Sequence, residues 1–224
     1  MNNICIHYQD QIIFVVLQEE KEIKAIKNIE HTKVGTYLAV IIQELTLMTK
    51  KKAIDAFFIN MAPAPIFMQR TILATVNGIA CAARMQQKKV DLYGIDGFLG
   101  LYDVYSTKNL HKKIVALSNA YANDLFYLFR ENNKVKSDVG NMQEIKNLLK
   151  KYYKNEIISI VGDITETQKK ELEEEYGTQI EYTGIKNIAV EEFIEIAIKK
   201  IDRKNNLPYL LPIYTKLHSV EKRI

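Results

Sequence analysis

The stretch from Phe57 to Gly97, FFINMAPAPIFMQRTILATVNGIACAARMQQKKVDLYGIDG, constrains the fold most, because it reads as strand, proline-punctuated turn, uncharged helix and second strand. Phe57, Phe58 and Ile59 make a buried-strand pattern. Pro63 and Pro65 then forbid its continuation, since proline has no N–H to give a sheet ladder. From Thr71 to Ala83 no residue is charged, whereas a monomer's surface helix normally shows a polar face opposite its apolar stripe. This predicts a helix covered on more than one side, within its own domain or by a partner. Ala74, Gly78, Ala80 and Ala82 are small enough to let another backbone approach.

Upstream, three short β-type runs cover Ile4–Ile6, Ile12–Leu17 and Ile23–Ile26, with a charged EEKE hairpin turn between the last two. Thr32 is the expected N-cap of a helix whose apolar residues Val34, Leu38, Ile41, Ile42, Leu45 and Met48 recur at helical spacing, until Lys50, Lys51 and Lys52 close it. The opposite side of that helix carries uncharged Thr36, Val40, Gln43 and Leu47. A strand at Ala56–Asn60, a helix at Phe67–Met85 and a strand at Val90–Tyr93 complete the order β-β-β-α-β-α-β. That is the order of the ribonuclease-H-like half of the actin, Hsp70 and sugar-kinase superfold.

A second run has similar logic. Strands are expected at Lys113–Leu117 and Leu125–Arg130 around a polar turn at Asn119–Asp124, then a helix at Met142–Tyr152 and a strand at Ile157–Val161. Helices follow at Thr165–Tyr176 and Val190–Ile201. The expected fold is therefore α/β, with two ribonuclease-H-like halves that are each a mixed sheet flanked by helices. Residues 1–105 form the N-terminal half with the partner-binding helices, and 106–224 form a smaller C-terminal half, with the boundary near Ser106. The ending LPYLLPIYTKLHSVEKRI reads as an extended, packed tail.

Composition narrows the function classes. A formal net charge of +4 with Lys and Glu interspersed gives no basic stripe of the kind nucleic-acid binding needs. Cys5 and Cys81 lie far apart in apolar segments, as buried free thiols of a reducing compartment would. No segment reaches the ~18 uninterrupted apolar residues of a membrane span, so a soluble, cytoplasmic protein without membrane contact is expected. Gly94, Gly97 and Gly100 follow a strand but match no dinucleotide fingerprint and read as a turn; no Gly-Lys-Ser/Thr phosphate loop occurs. His7, His31, His111 and His218 show no ligand spacing, so neither metal nor cofactor is expected. Ser118 has no evident base, and Asp10, Asp55, Asp91, Asp96 and Asp103 sit beside turns or strand ends, where Asp is common for structural reasons. No catalytic residue emerges.

An ordered series of partial matches to one known family runs nearly end to end. The family's first strand ends Ala-Ile-Asp-Thr-Ala, where this chain has Cys5, Ile6, His7, Tyr8 and Gln9. Its first helix opens His-Thr or His-Ser, matched by His31 and Thr32. Its signature turn Gly-Pro-Gly-Ser-Phe-Thr-Gly-x-Arg aligns without a gap on Ala62, Pro63, Ala64, Pro65, Ile66, Phe67, Met68, Gln69 and Arg70, of which Pro63 and Arg70 are kept. Gly78 falls on a helix glycine of the family, and Tyr93, Gly94 and Ile95 fall on its Ile-Gly-Val strand. Its Asp-Ala-Arg, with a following acid and aromatic, appears as Asn119, Ala120, Tyr121, Asp124 and Phe126. Its Pro-Val-Tyr-Leu-Arg ending appears as Pro212, Ile213, Tyr214, Thr215 and Lys216.

In this series the chain resembles the bacterial TsaB (YeaZ) family, and the resemblance implies a non-catalytic partner in making threonylcarbamoyladenosine in tRNA, beside the anticodon. It would dock on a TsaD-like catalytic sister subunit and, through it, meet a TsaE-like ATPase, with tRNA contacted only indirectly. The departures agree with a lack of chemistry: His7 replaces the acid that active relatives of the superfold turn toward a metal-bound nucleotide. Ala62, Ala64 and Met68 replace glycines that let a backbone come close. The expected docking face is Thr36, Val40, Gln43 and Leu47 on the first helix with Phe67, Thr71, Ala74, Gly78 and Met85 on the second. The same face would serve a homodimer, because two helices pack isologously about a two-fold axis. Two rival readings remain at this point: a diverged paralogue that pairs with itself or serves another process, and a nucleotide-dependent enzyme of the same superfold.

Overall fold

The computed structural model describes residues 1–62, 65–120, 124–131, 134–154, 156–201 and 207–211. Pro63, Ala64, Tyr121 and the stretch 212–224, with its family-like ending, lie outside the described residues. Strands β1 (Asn2–Gln9), β2 (Ile12–Glu19) and β3 (Glu22–Glu30) form a meander. They are followed by α1 (Val34–Met48), β4 (Ala56–Ala62), α2 (Ile66–Met85), β5 (Asp91–Asp96) and α3 (Gly97–Lys108). The same order then recurs: β6 (Lys113–Asn119), β7 (Leu125–Glu131), β8 (Lys134–Gly140), α4 (Met142–Tyr152), β9 (Ile158–Val161), α5 (Glu166–Tyr176), β10 (Ile180–Tyr182) and α6 (Val190–Ile201).

The sheets repeat the topology too. The first has the order β3-β2-β1-β4-β5 and the second β8-β7-β6-β9-β10, each an antiparallel meander extended by two parallel strands. This is the mixed five-stranded sheet of a ribonuclease-H-like half, built twice. The expected boundary near Ser106 falls inside α3. The chain divides instead between Gly97 and Phe98, and the described residues from Ala189 onward group with the first unit.

In the first unit, alternation along β1 sends Ile4 and Ile6 to one side and Cys5 and His7 to the other. Ile4 and Ile6 join Ile13, Val15, Phe57 and Ile59 in a core closed by Leu38, Ile42 and Leu45 of α1 and by Met68, Ile72, Leu73, Val76 and Ala80 of α2. The opposite side receives α6, whose Phe193 stacks on His7. Leu207 donates its N–H to Leu92 O at 3.0 Å, and both amide atoms of Asn77 bind the Leu210 backbone, at 2.8 and 2.9 Å. Leu210 is thereby buried in the first core, as a packed tail requires.

Two local expectations change. Thr32 is not an N-cap, because a 3-10 turn over His31–Lys33 leads into α1 and no side chain caps the helix. Gly97 and Gly100 lie in α3 and Gly94 in β5, so this is a strand running directly into a helix and not a turn. Two strands, β8 and β10, had no expectation. Capping was legible elsewhere: Asn141 with Glu144 and Thr165 with Gln168 form reciprocal capping boxes that start α4 and α5.

Candidate functional site

Open α/β sheets bind ligands beyond the carboxyl ends of their parallel strands. In the first unit those ends belong to β1, β4 and β5, and the groups found there face inward. His7 is 1% exposed, and its Nδ1 lies 3.0 Å from the Asn60 amide nitrogen. With that amide donating, the imidazole proton sits on Nε2. The ring stacks on Phe193, with centroids 4.7 Å apart. Gln69, at the start of α2, is also buried and donates to the Met61 carbonyl. His7, Asn60 and Gln69 are thus each engaged by a partner within the chain. Asn60 and Phe193 were not among the sequence candidates. Neither lies in a motif, and only the β1–β4 pairing and the return of α6 bring them to His7.

The remaining acids have structural partners or positions. Asp55 accepts the Asn2 N–H at 2.7 Å, Asp91 pairs with Lys89 at 3.2 Å, and in the second unit Asp103 pairs with Arg130 at 2.7 Å. Asp10 sits at φ +50 in the β1–β2 turn, and Asp96 ends β5. Ser118 is buried in β6. Among the described residues no group of three His, Cys, Asp or Glu side chains is arranged to hold a metal ion.

The cysteines differ from each other, against the expectation that both are buried. Cys5 is enclosed in the first sheet, and burial pushes its thiol up to about 12. Cys81 is exposed, because its side of α2 turns away from the core. A water-soluble thiol reagent at about pH 8 is therefore expected to modify one cysteine of the native chain quickly and the second only on unfolding. Two fast thiols would contradict the burial of Cys5.

The helix pair presents the other candidate. Thr36, Val40, Gln43 and Leu47 are all exposed on α1, Val40 at 49% and Leu47 at 59%. On α2, Phe67 is 79% exposed and Met85 83%, while Ala74 and Gly78 are also exposed and Thr71 is half-buried. The helices lie side by side: a Cβ on Gly35 would sit 3.9 Å from the Thr71 methyl. A Cβ on Gly78 would meet nothing within 4 Å, so no neighbour in this chain requires that glycine. The expected docking residues thus share one open side above the buried faces of both helices. Within this chain the uncharged helix is covered on one side only, so of the two expected kinds of cover the described residues supply just the one from its own core. By length and composition α2 is apolar enough to cross a membrane, yet its inner face belongs to the first core.

No protein-family model matches the chain, and no curated protein matches it. Among solved structures, YeaZ from Pseudomonas aeruginosa is similar with a TM-score of 0.65 and 12% identity, over 96% of this chain and 100% of that one. A second structure, of an uncharacterized protein from Pseudomonas aeruginosa with similarity to peptidase YeaZ, gives 0.65 and 11% over 96% and 99%. At such identity the likeness speaks for the fold: two ribonuclease-H-like halves of the YeaZ kind.

Proposed function

We propose that this chain is a TsaB-like, non-catalytic partner subunit of the cytoplasmic complex that makes threonylcarbamoyladenosine in tRNA. It docks on the TsaD-like catalytic sister subunit through α1 and α2. The TsaE-like ATPase and the tRNA are met through that subunit. One observation carries the reading: a largely apolar side of two adjacent helices, with exposed Arg70 at one end, lies open, while His7 at the strand ends of the same unit is buried against Asn60 and Phe193. Two helices of this length suit a standard interface of about 800 Å² per partner. In this role the chain needs no catalytic group of its own; association would hold the sister subunit in a competent state.

The tagged chain, recovered from its native organism, is expected to bring the threonylcarbamoyl-transferring subunit with it. Its absence from the recovered material, while abundant in the extract, would overturn the assignment. The enzyme reading makes an opposite expectation, because calorimetry with ATP and magnesium would then show micromolar binding.

A further inference from the structure

The β1–β2 hairpin lacks the two features that ordinarily fix how strands pair. The first is a buried apolar face opposite a polar one, which makes any shift of pairing costly. Here both faces are buried and mainly apolar. Ile4 and Ile6 of β1 lie with Ile13, Val15 and Leu17 of β2 on one side, and Cys5 lies opposite Val16 on the other. The second feature is turn chemistry. Asp10 and Gln11 form a two-residue loop with φ of +50 and +67, and Glu20 and Lys21, which join β2 to β3, form another with +52 and +77. Positive φ at both positions is the turn that glycine and asparagine supply readily, and neither loop contains either residue.

A slip of β2 and β3 past β1 by two residues keeps every side chain on its own face, because strand side chains alternate with a period of two. Ile4 would then meet Val15 in place of Leu17, and Cys5 would meet Phe14 in place of Val16, each an exchange of one apolar side chain for another. Asn3 and Gln18 are different. They stand directly opposite each other, 2% and 0% exposed, and Asn3 Nδ2 donates to Gln18 Oε1 at 3.2 Å. A slip in either direction parts the two amides and leaves both buried without a partner, which costs more than the hydrogen bond itself contributes. Strength is not what this pair supplies. Asn3 Oδ1 and Gln18 Nε2 have no hydrogen-bond partner among the described residues, and turning both amides over would again strand one donor and one acceptor. An apolar pair of the same shape would carry neither orphan.

We infer that Asn3 and Gln18 are the register lock of the β1–β2–β3 meander, a buried polar pair that gives up stability to exclude the slipped pairings. The lock sits at one end of the hairpin and serves the other end, where Phe14 faces His7. A two-residue slip would carry Phe14 about 7 Å along the strand, away from the group that His7 forms with Asn60 and Phe193. The inference holds whatever α1 and α2 bind.

The test is a double-mutant cycle on the full chain, read by urea unfolding and by the amide spectrum of isotope-labelled protein. Asn3→Val and Gln18→Leu should each lower the folding equilibrium constant at least about tenfold, since each leaves the other amide buried alone. The double variant should return to within about threefold of wild type or exceed it, because no orphan remains. Its amide signals from β1, β2 and β3 should nevertheless be doubled, with cross-strand contacts of both the native and the slipped pairing. Exchanging the side chains, Asn3→Gln with Gln18→Asn, restores an amide pair and should return a single set of signals. The double and exchange variants decide even where a single variant does not fold. One set of signals in the native pairing for the apolar double variant would overturn the inference, as would losses that simply add in the cycle. An exchange variant as heterogeneous as the apolar one would overturn it too.

Discussion

Ala74→Arg is expected to abolish association with the catalytic subunit while the free chain folds as before. Ala74 is exposed at the middle of the α2 stripe, between Phe67 and Gly78 on one side of the helix. Arginine is nearly as good a helix former as alanine, so the exposed substitution should shift stability by no more than about 0.5 kcal/mol. Inside a partner interface the same guanidinium would be desolvated among apolar neighbours. Leaving a buried charge unpaired costs about 3–5 kcal/mol, enough to weaken binding by at least about a hundredfold. Gly78→Ala gives a finer reading. Its Cβ would enter open space, so the free chain should gain up to about 1 kcal/mol from better helix propensity. Binding should weaken only if a partner backbone comes close there. Unchanged affinity of the Ala74→Arg variant, measured by titration calorimetry, would remove the proposed face.

The first half of the fold was open to sequence reading because its strands and helices carry distinct periods and are separated by charged or proline-bearing turns. The second half was less so, for identifiable reasons. Strand β8, KVKSDVG, is an edge strand exposed over its first five residues, so it has no apolar alternation to find. Strand β10 is three residues long. Helix α3 begins on glycines, which favour turns, and these outweighed a real signal. Phe98, Leu101, Tyr102 and Tyr105 recur at helical spacing and are all buried. Two related halves were expected from the order of elements, although no residue-by-residue repeat aligns, because two copies of one strand order need share only burial patterns, not residues.

The two candidate sites differ in the same way. Exposure of the α1 and α2 stripes follows from helix geometry once the buried faces are known, so Thr36, Val40, Gln43 and Leu47 were recognisable together. The closure around His7 depends on a contact with Phe193, from a helix near the other end of the chain.

That closure leads to the second large effect. His7→Asp would restore the residue type that the resembled family carries at this strand end, but it would place a carboxyl where His7 is 1% exposed and faces Phe193. Asn60 can still donate one hydrogen bond, which is too little to offset the loss of water around a charge. Burial would raise the folded-state pKa of the new carboxyl above the unfolded value of about 4. The neutral acid is then tolerated below that value, and stability falls as pH rises toward the raised folded pKa. The matching control is His7→Asn, which has nearly the same shape and never ionises. Both variants should melt together near pH 4. By pH 7 the Asp variant should be less stable by about 3 kcal/mol, the cost of a shift of about two units, with no gain in binding of magnesium and ATP. Equal melting of the two at pH 7, accompanied by nucleotide binding in the Asp variant, would mean that the site opens to solvent. The non-catalytic reading would then lose its structural basis, because a single histidine would be all that separates this sheet from a working nucleotide cleft.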